Sequence, residues 1–438
     1  MTIPLSELRS LTSGDMLSRK QALKKLSGLI LSPPSGSQPL TEPDFLAQTL
    51  PVLLTNLLQL FSYEKEKVRE LSLNFFISLL ASPHLANYDF APSLTTFSSL
   101  FTNAFSSAPP APFAEPAEEI RLLLIKVTIA FLNHSSTPAD VTDHTTEKGE
   151  DAPKSSLTVL YTGISLTLAR ALSDPFPEVK REGCLLIAKL FKVAPIALRY
   201  NLKALVTPLI ANSSHQHSKT RQMTVKALAM VLTAANGPDD CKKVMNDTVL
   251  PTLLKVSFDK IPTVRKALIT AAARIAKHAL TKVTTQGANP TSIYEPFAHH
   301  LVSLVLSCCC DETVEVAEMA TKELANLADI FASAKDDDAR VDAPPSPPTA
   351  AANTGAVRAM ISHFFPSLLT PLVASASHWT LGQREQSMNT LATLFTLTDP
   401  AVMVDYVDVI INMLASAIHD DEESVVSSTT RCAESLAR

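Results

Sequence analysis

The sequence predicts an all-α chain, built as a superhelical solenoid of about nine helical hairpins. Three observations carry that prediction. Glycine is scarce, 10 in 438 residues, so few positions are free to take the φ > 0 conformations on which turn-dense β folds, propellers and glycine-rich phosphate loops depend. Apolar residues recur with the helical period: Val225, Leu228, Ala229 and Leu232 fall at i, i+3, i+4, i+7, as do Ile187, Leu190, Phe191 and Ala194, and Val264, Leu268, Ala271 and Ile275 share one stripe. No stretch sustains the alternation of a strand. Thirdly, one unit returns along the chain: an apolar helix, a polar turn, and a second helix that opens on a Val-Arg-like pair.

The repeat is clearest at Thr207-Pro-Leu-Ile-Ala followed by Lys219-Thr-Arg-Gln-Met-Thr-Val, and at Leu250-Pro-Thr-Leu-Leu followed by Thr263-Val-Arg-Lys-Ala. Its Val position gives a ladder of Val68, Ile120, Val179, Thr220, Val264, Val316, Gln383 and Val425, with a weaker first member near Ser18. The shortest intervals, 41, 42 and 44 residues, match the roughly 40–47 residues of a two-helix HEAT repeat. The two longest, 59 and 67, contain low-complexity inserts. Pro208, Pro251 and Pro371 lie 12 or 13 residues before their Val positions, where they start or kink the first helix. Asp174, Asp259 and Asp311 stand where they cap the second. Arg69, Arg121, Lys180, Arg221 and Arg265 follow the Val position, within reach of a neighbouring turn aspartate. Such pairs would tie one repeat to the next.

The organisation expected is N-terminal HEAT-like repeats over 1–133, a flexible insert over 134–156, central repeats over 157–333, an acidic and proline-rich linker over 334–356, and further repeats over 357–438. The chain ends inside or just after a second helix, which reads as truncation of a longer parent. The inserts carry the polar run after His134 and the sequence Asp336-Asp337-Asp338 with its proline cluster.

Charge narrows the partners. The 38 basic and 43 acidic residues leave a net charge of −5, with no basic footprint for nucleic acid over the chain as a whole. Six cysteines without a CxxC pair fit a reducing compartment, cytosol or nucleus. No apolar h-region opens the chain, and no uninterrupted apolar run reaches the roughly 18 residues of a membrane span. The reading is a soluble intracellular protein, with no membrane, nucleic-acid or small-molecule partner.

No catalytic set stands out, and the expectation is a non-enzyme without cofactor or metal. G-x-S-x-G, H-E-x-x-H and Walker-type sequences are missing. Cys308-Cys309-Cys310 cannot converge on one metal, because consecutive helical residues point about 100° apart; they read as small apolar residues ending a first helix. His215 and His217 form an H-x-H in a turn without a further ligand. Asp420-Asp421-Glu422-Glu423 precedes Val425, where carboxylates favour a helix N-terminus. Trp379, the single tryptophan, lies in an inter-helix turn. It reads first as packing under its own repeat and alternatively as a partner anchor. The candidate partner-binding residues are the turn residues Phe176, His215, His217, Lys260 and Trp379.

Several turns are more specific than a generic repeat. Ser173-Asp-Pro-Phe-Pro-Glu-Val-Lys-Arg, Ser214-His-Gln-His-Ser-Lys-Thr-Arg, Phe258-Asp-Lys-Ile-Pro-Thr-Val-Arg and Trp379-Thr-Leu-Gly-Gln-Arg occur in that order, followed by Asp420-Asp-Glu-Glu-Ser-Val-Val. From about Leu157 to Arg438 this series resembles the HEAT-repeat dynein axonemal assembly factors; the first 133 residues fit loosely. The resemblance implies a cytoplasmic, non-catalytic scaffold or chaperone-associated factor. It would act in preassembly of outer and inner dynein arms for motile cilia, with intermediate and heavy dynein chains and chaperone-linked factors as partners. It also implies that this chain is the N-terminal half of such a protein. A general HEAT-repeat adaptor, of transport-carrier or phosphatase-scaffold type, is the alternative.

Overall fold

A computed structural model of the chain describes residues 5–33, 38–106, 112–135, 164, 167–193, 202–234, 243–280, 295–336 and 350–437. Among these every regular element is helical, and none is a strand. The all-α repeat expected from the sequence is what the chain forms. Among the described residues the helices follow one another in chain order as hairpin-like pairs. They pack into two compact units, Met1–Leu209 and Ile210–Arg438.

The first unit pairs α1 (Leu5–Ser13) with α2 (Met16–Leu31), α3 (Leu50–Leu60) with α4 (Glu66–Leu80), and α5 (Ala91–Ala104) with α6 (Glu118–Ser135). A fourth pair is α7 (167–172) with α8 (Pro177–Val193). First helices stack on first helices and second on second: α1 on α3 on α5, and α2 on α4 on α6 on α8. Asp15 caps α2 by accepting from the Ser18 N–H at 2.8 Å. At the α1–α2 turn a Cβ on Gly14 would meet the Ser10 carbonyl at 2.7 Å, so only glycine fits that close approach. The core is aromatic. Phe76 stands edge-on to Phe61 and tilted to Phe131, and Phe97 contacts Phe61, Phe101 and Phe131.

Helix α9 (Leu202–Asn212) carries the boundary between the units. The second unit continues with α10 (Ser218–Ala234), then the pairs α11 (Leu250–Ser257) and α12 (Pro262–Leu280), α13 (Ala298–Cys308) and α14 (Val314–Asp336), α15 (Ala350–Ala376) and α16 (Leu381–Leu397), and α17 (Val407–Ala417) and α18 (Glu423–Ala437). Second helices stack as α10 on α12 on α14, and α16 on α18. Between the α13/α14 and α15/α16 pairs the stacking crosses over: α14 packs on α15, and α13 reaches α16. That junction follows the long interval between Val316 and Gln383.

The Val positions sit where the ladder requires. Val68, Ile120, Val179, Thr220, Val264, Val316 and Val425 are buried, and Gln383 is half-buried. One turn further on, buried Ser72 and Ser387 each donate back to a first-helix carbonyl, Leu57 at 3.0 Å and Leu372 at 2.6 Å. Pro251 opens α11, whereas Pro208 and Pro371 lie inside their helices. Of the segments read as inserts, 136–156 and 337–349 lie outside the described residues; His134 and Ser135 close α6, and α15 opens at Ala350.

Two helices, Thr354–Ala376 with mean hydropathy 1.3 and Pro400–Ala417 with 1.4, are long and apolar enough to cross a membrane. The second of these windows includes Asp405 and Asp408, so it is not an uninterrupted apolar run. Both helices are members of packed pairs: Met360, Ile361, Phe365 and Leu368 of the first, and Ile410 and Met413 of the second, are core.

Candidate functional site

The turns inside the hairpins follow one construction. A carboxylate in the turn accepts the backbone N–H two residues on: Glu115 from Ala117 at 3.0 Å, Asp174 from Phe176 at 2.9 Å, Asp259 from Ile261 at 2.9 Å, Asp311 from Thr313 at 2.8 Å and Asp420 from Glu422 at 3.0 Å. These are caps made inside the turn rather than at the helix itself. The same carboxylate then receives the arginine of the preceding repeat. Arg121 Nε and Nη2 reach Asp174 at 2.6 and 3.1 Å, Arg221 reaches Asp259 at 2.6 and 2.9 Å, and Arg265 reaches Asp311 at 2.6 and 2.8 Å. Arg384 lies 2.8 and 3.0 Å from Asp420, and Arg69 Nη2 lies 2.9 Å from Glu115.

The remaining nitrogen of each fork locks its own turn. Nη1 of Arg69 donates to Tyr63 and Glu64 carbonyls, of Arg121 to Glu115 and Pro116, of Arg221 to His215 and Gln216, and of Arg384 to His378 and Trp379. One planar guanidinium therefore fixes two successive turns, which a lysine point charge could not do. Even the weak first member conforms. Arg19 donates to the Gly14 and Thr12 carbonyls, and its guanidinium lies 4.4 Å from the centre of the Tyr63 ring in the next turn.

Two turns substitute histidine for the carboxylate. His215 Nδ1 accepts from the His217 N–H, and His378 Nδ1 from the Thr380 N–H, each at 3.1 Å. A neutral ring supplies the turn acceptor but not the charge for an incoming arginine. The residues in the arginine position one repeat earlier are Lys180 and Ala317. The Ala317 junction is also the one where the stacking crosses over.

In the second unit several of these turns carry exposed apolar side chains. Phe258, Ile261, Val314, Trp379, Leu381 and Ile418 are exposed at or beside them. Trp379 is 86% exposed, which overturns the reading that it packs under its own repeat. Arg384 donates to the Trp379 carbonyl and the His378 ring accepts from the Thr380 N–H, and the indole stands beside the His378 ring at 5.5 Å.

His215 and Lys260 come together. With Ser213, Ser214, Lys255 and Phe258 they line an open cleft of about 560 Å³ between the 213–217 and 258–261 turns, floored by the Arg221–Asp259 pair. Lys255 Nζ donates to Ser214 Oγ across the cleft at 3.1 Å. His217 is exposed in the same turn, and Phe176 is half-buried in the first unit. Sequence reasoning missed Lys255, Phe258 and Ile261. The signal available was two large apolar residues on either side of a turn aspartate, where a solvated turn would be polar.

Burial disfavours the thiolate throughout the cysteine triplet. Burial pushes the Cys308 and Cys309 thiols up to about 12, and Cys310 rises for the same reason. Among the described residues no three His, Cys, Asp or Glu side chains gather to hold a metal ion.

Comparison with known proteins agrees with the turn motifs. The family described as "Dynein axonemal assembly factor 5-like, TPR repeats" matches residues 150–340. In that stretch the buried ladder recurs at 41, 44 and 52 residues, longer than the 34-residue TPR unit and nearer the HEAT period. Human dynein axonemal assembly factor 5 (Homo sapiens) is 28% identical over 271 residues, covering 60% of this chain and 30% of its own length. The mouse protein (Mus musculus) is 26% identical over 397 residues, covering 87% of this chain and 41% of its own. The chain thus spans 30% and 41% of the length of these relatives. Among solved structures, importin beta aligns over 99% of this chain and 53% of its own, with TM-score 0.50 at 11% identity, a likeness of fold alone.

Proposed function

We propose that this chain is part of a non-enzymatic scaffold or chaperone-associated factor for axonemal dynein. It would act in the cytoplasm, during preassembly of outer and inner arms for motile cilia. The observation that carries the proposal is the similarity to dynein axonemal assembly factor 5, which in the mouse protein runs along 87% of the chain. The exposed apolar residues of these turns support a mechanism by surface contact. Arginines fix the turns, so the side chains they present are preorganised, and contacts spread over several repeats add without one deep pocket. Intermediate and heavy dynein chains, with chaperone-linked factors, are the partners this reading names.

Binding of the purified chain to recombinant axonemal dynein intermediate-chain and heavy-chain tail fragments tests the reading. Micromolar or tighter binding to either is expected, and binding to neither overturns it. The alternative, a general helical-repeat adaptor, is favoured by the importin-beta-like fold and differs only in partner.

A further inference from the structure

The cleft between the 213–217 and 258–261 turns has a chemistry of its own. Its polar floor is saturated. Arg221 spends Nε and Nη2 on Asp259 and Nη1 on the His215 and Gln216 carbonyls. Asp259 takes both of those nitrogens and the Ile261 N–H. Neither group is left to bind a ligand. The walls are different. Lys255 and Lys260 are exposed, and among the described residues no carboxylate lies within ion-pairing distance of either ammonium. Lys266, by contrast, is paired with Glu315. Phe258 and Ile261 stand exposed at the same mouth.

We infer that this cleft binds an acidic segment of a partner protein, two or more carboxylates flanking an apolar side chain. The volume, about 560 Å³, holds several side chains rather than a single ion. Two ammonium groups without counter-charge, in a chain of net charge −5, favour an anionic ligand. The apolar pair at the mouth favours a peptide over a bare polyanion. Because the one arginine fork is fully used, the bidentate geometry that selects phosphate is not on offer. The inference holds whatever assembly the chain serves, since it depends only on the cleft.

The test uses the full chain and two fluorescein-labelled probes, an eight-residue Glu-rich peptide with one central Leu and an all-Glu peptide of equal length. The Leu-bearing peptide is expected to bind more tightly, and more weakly as salt rises. Lys255→Glu with Lys260→Glu should weaken both peptides at least tenfold. Phe258→Ala should weaken only the Leu-bearing one. Both variants change exposed side chains, and an unchanged melting temperature checks that they fold. Absence of peptide binding, binding indifferent to the double charge reversal, or preference for a single-stranded RNA octamer over both peptides overturns the inference.

Discussion

Asp174 is fully buried, and both of its carboxylate oxygens accept from the guanidinium of Arg121, 53 residues earlier in the chain. The same guanidinium lies 4.5 Å from the centre of the Phe113 ring. A buried charge pair of this kind adds little over an apolar replacement, yet losing one partner strands the other. Asp174→Ala also removes the acceptor for the Phe176 N–H. Chemical denaturation should therefore show a loss of about 3–5 kcal/mol for Asp174→Ala. Asp259→Ala, whose pair is more exposed, should lose less. Equal losses would mean that burial does not set the strength of these pairs.

Acid should loosen the second unit through two of its turn carboxylates. Burial raises the Asp259 carboxyl, but hydrogen bonds from Arg221 and the Ile261 N–H, with the charges of Arg221 and Arg265, outweigh it and hold the group below the usual range. The hydrogen bond from Arg384 is the largest influence on Asp420, which is held low as well. A carboxyl depressed on folding stabilises above its unfolded value, about 3.9, and that stability is lost as pH falls through the lower folded value. Unfolding free energy should be flat from pH 6 to 5 on account of these groups and fall below about pH 4. Asp259→Asn should lower the plateau and flatten the fall. A fall unaltered by that substitution would place the acid sensitivity elsewhere.

Trp379 is the single tryptophan, so it reports on its own turn. At 86% exposure its emission should be that of a solvated indole and should be fully open to acrylamide quenching. Trp379→Ala should change stability by no more than about 0.5 kcal/mol. A shielded, blue-shifted ring, or a large destabilisation, would restore the packed reading.

The Cys308–Cys310 peptide should resist alkylation in the native chain. A thiol pushed up to about 12 by burial has on the order of a thousandfold less thiolate at pH 8 than a free cysteine. Maleimide labelling followed by peptide mapping should show slow native modification and rapid modification in denaturant. Fast native labelling would expose the triplet as reactive.

The fold was legible because a helical repeat writes itself at two scales. The 3.6-residue stripe marked Val225, Leu228 and Leu232, and the longer ladder marked Val179, Val264 and Val425; all six are buried. The inter-repeat charge pairs were legible in part: Arg69, Arg121, Arg221 and Arg265 each face a turn carboxylate one repeat away, whereas Lys180 precedes a histidine turn. The site was legible only in part. Turn placement found Lys260 and His215, but no periodicity records that Trp379 stands outward on a turn whose backbone accepts from Arg384 and donates to the His378 ring. Lys255 escaped notice because it ends a first helix, and only the neighbouring turn, through Ser214, makes it a cleft wall. The two histidine turns were read as candidate contacts; their rings also serve as acceptors that replace aspartate.

The most direct test is affinity capture of the tagged chain from the cytoplasm of ciliating cells, read by mass spectrometry beside the Trp379→Ala variant. Axonemal dynein intermediate and heavy chains should co-purify with the unaltered chain and be depleted with the variant. A partner set without axonemal dynein chains, or equal dynein recovery by both proteins, would contradict exposed turn residues that serve dynein assembly.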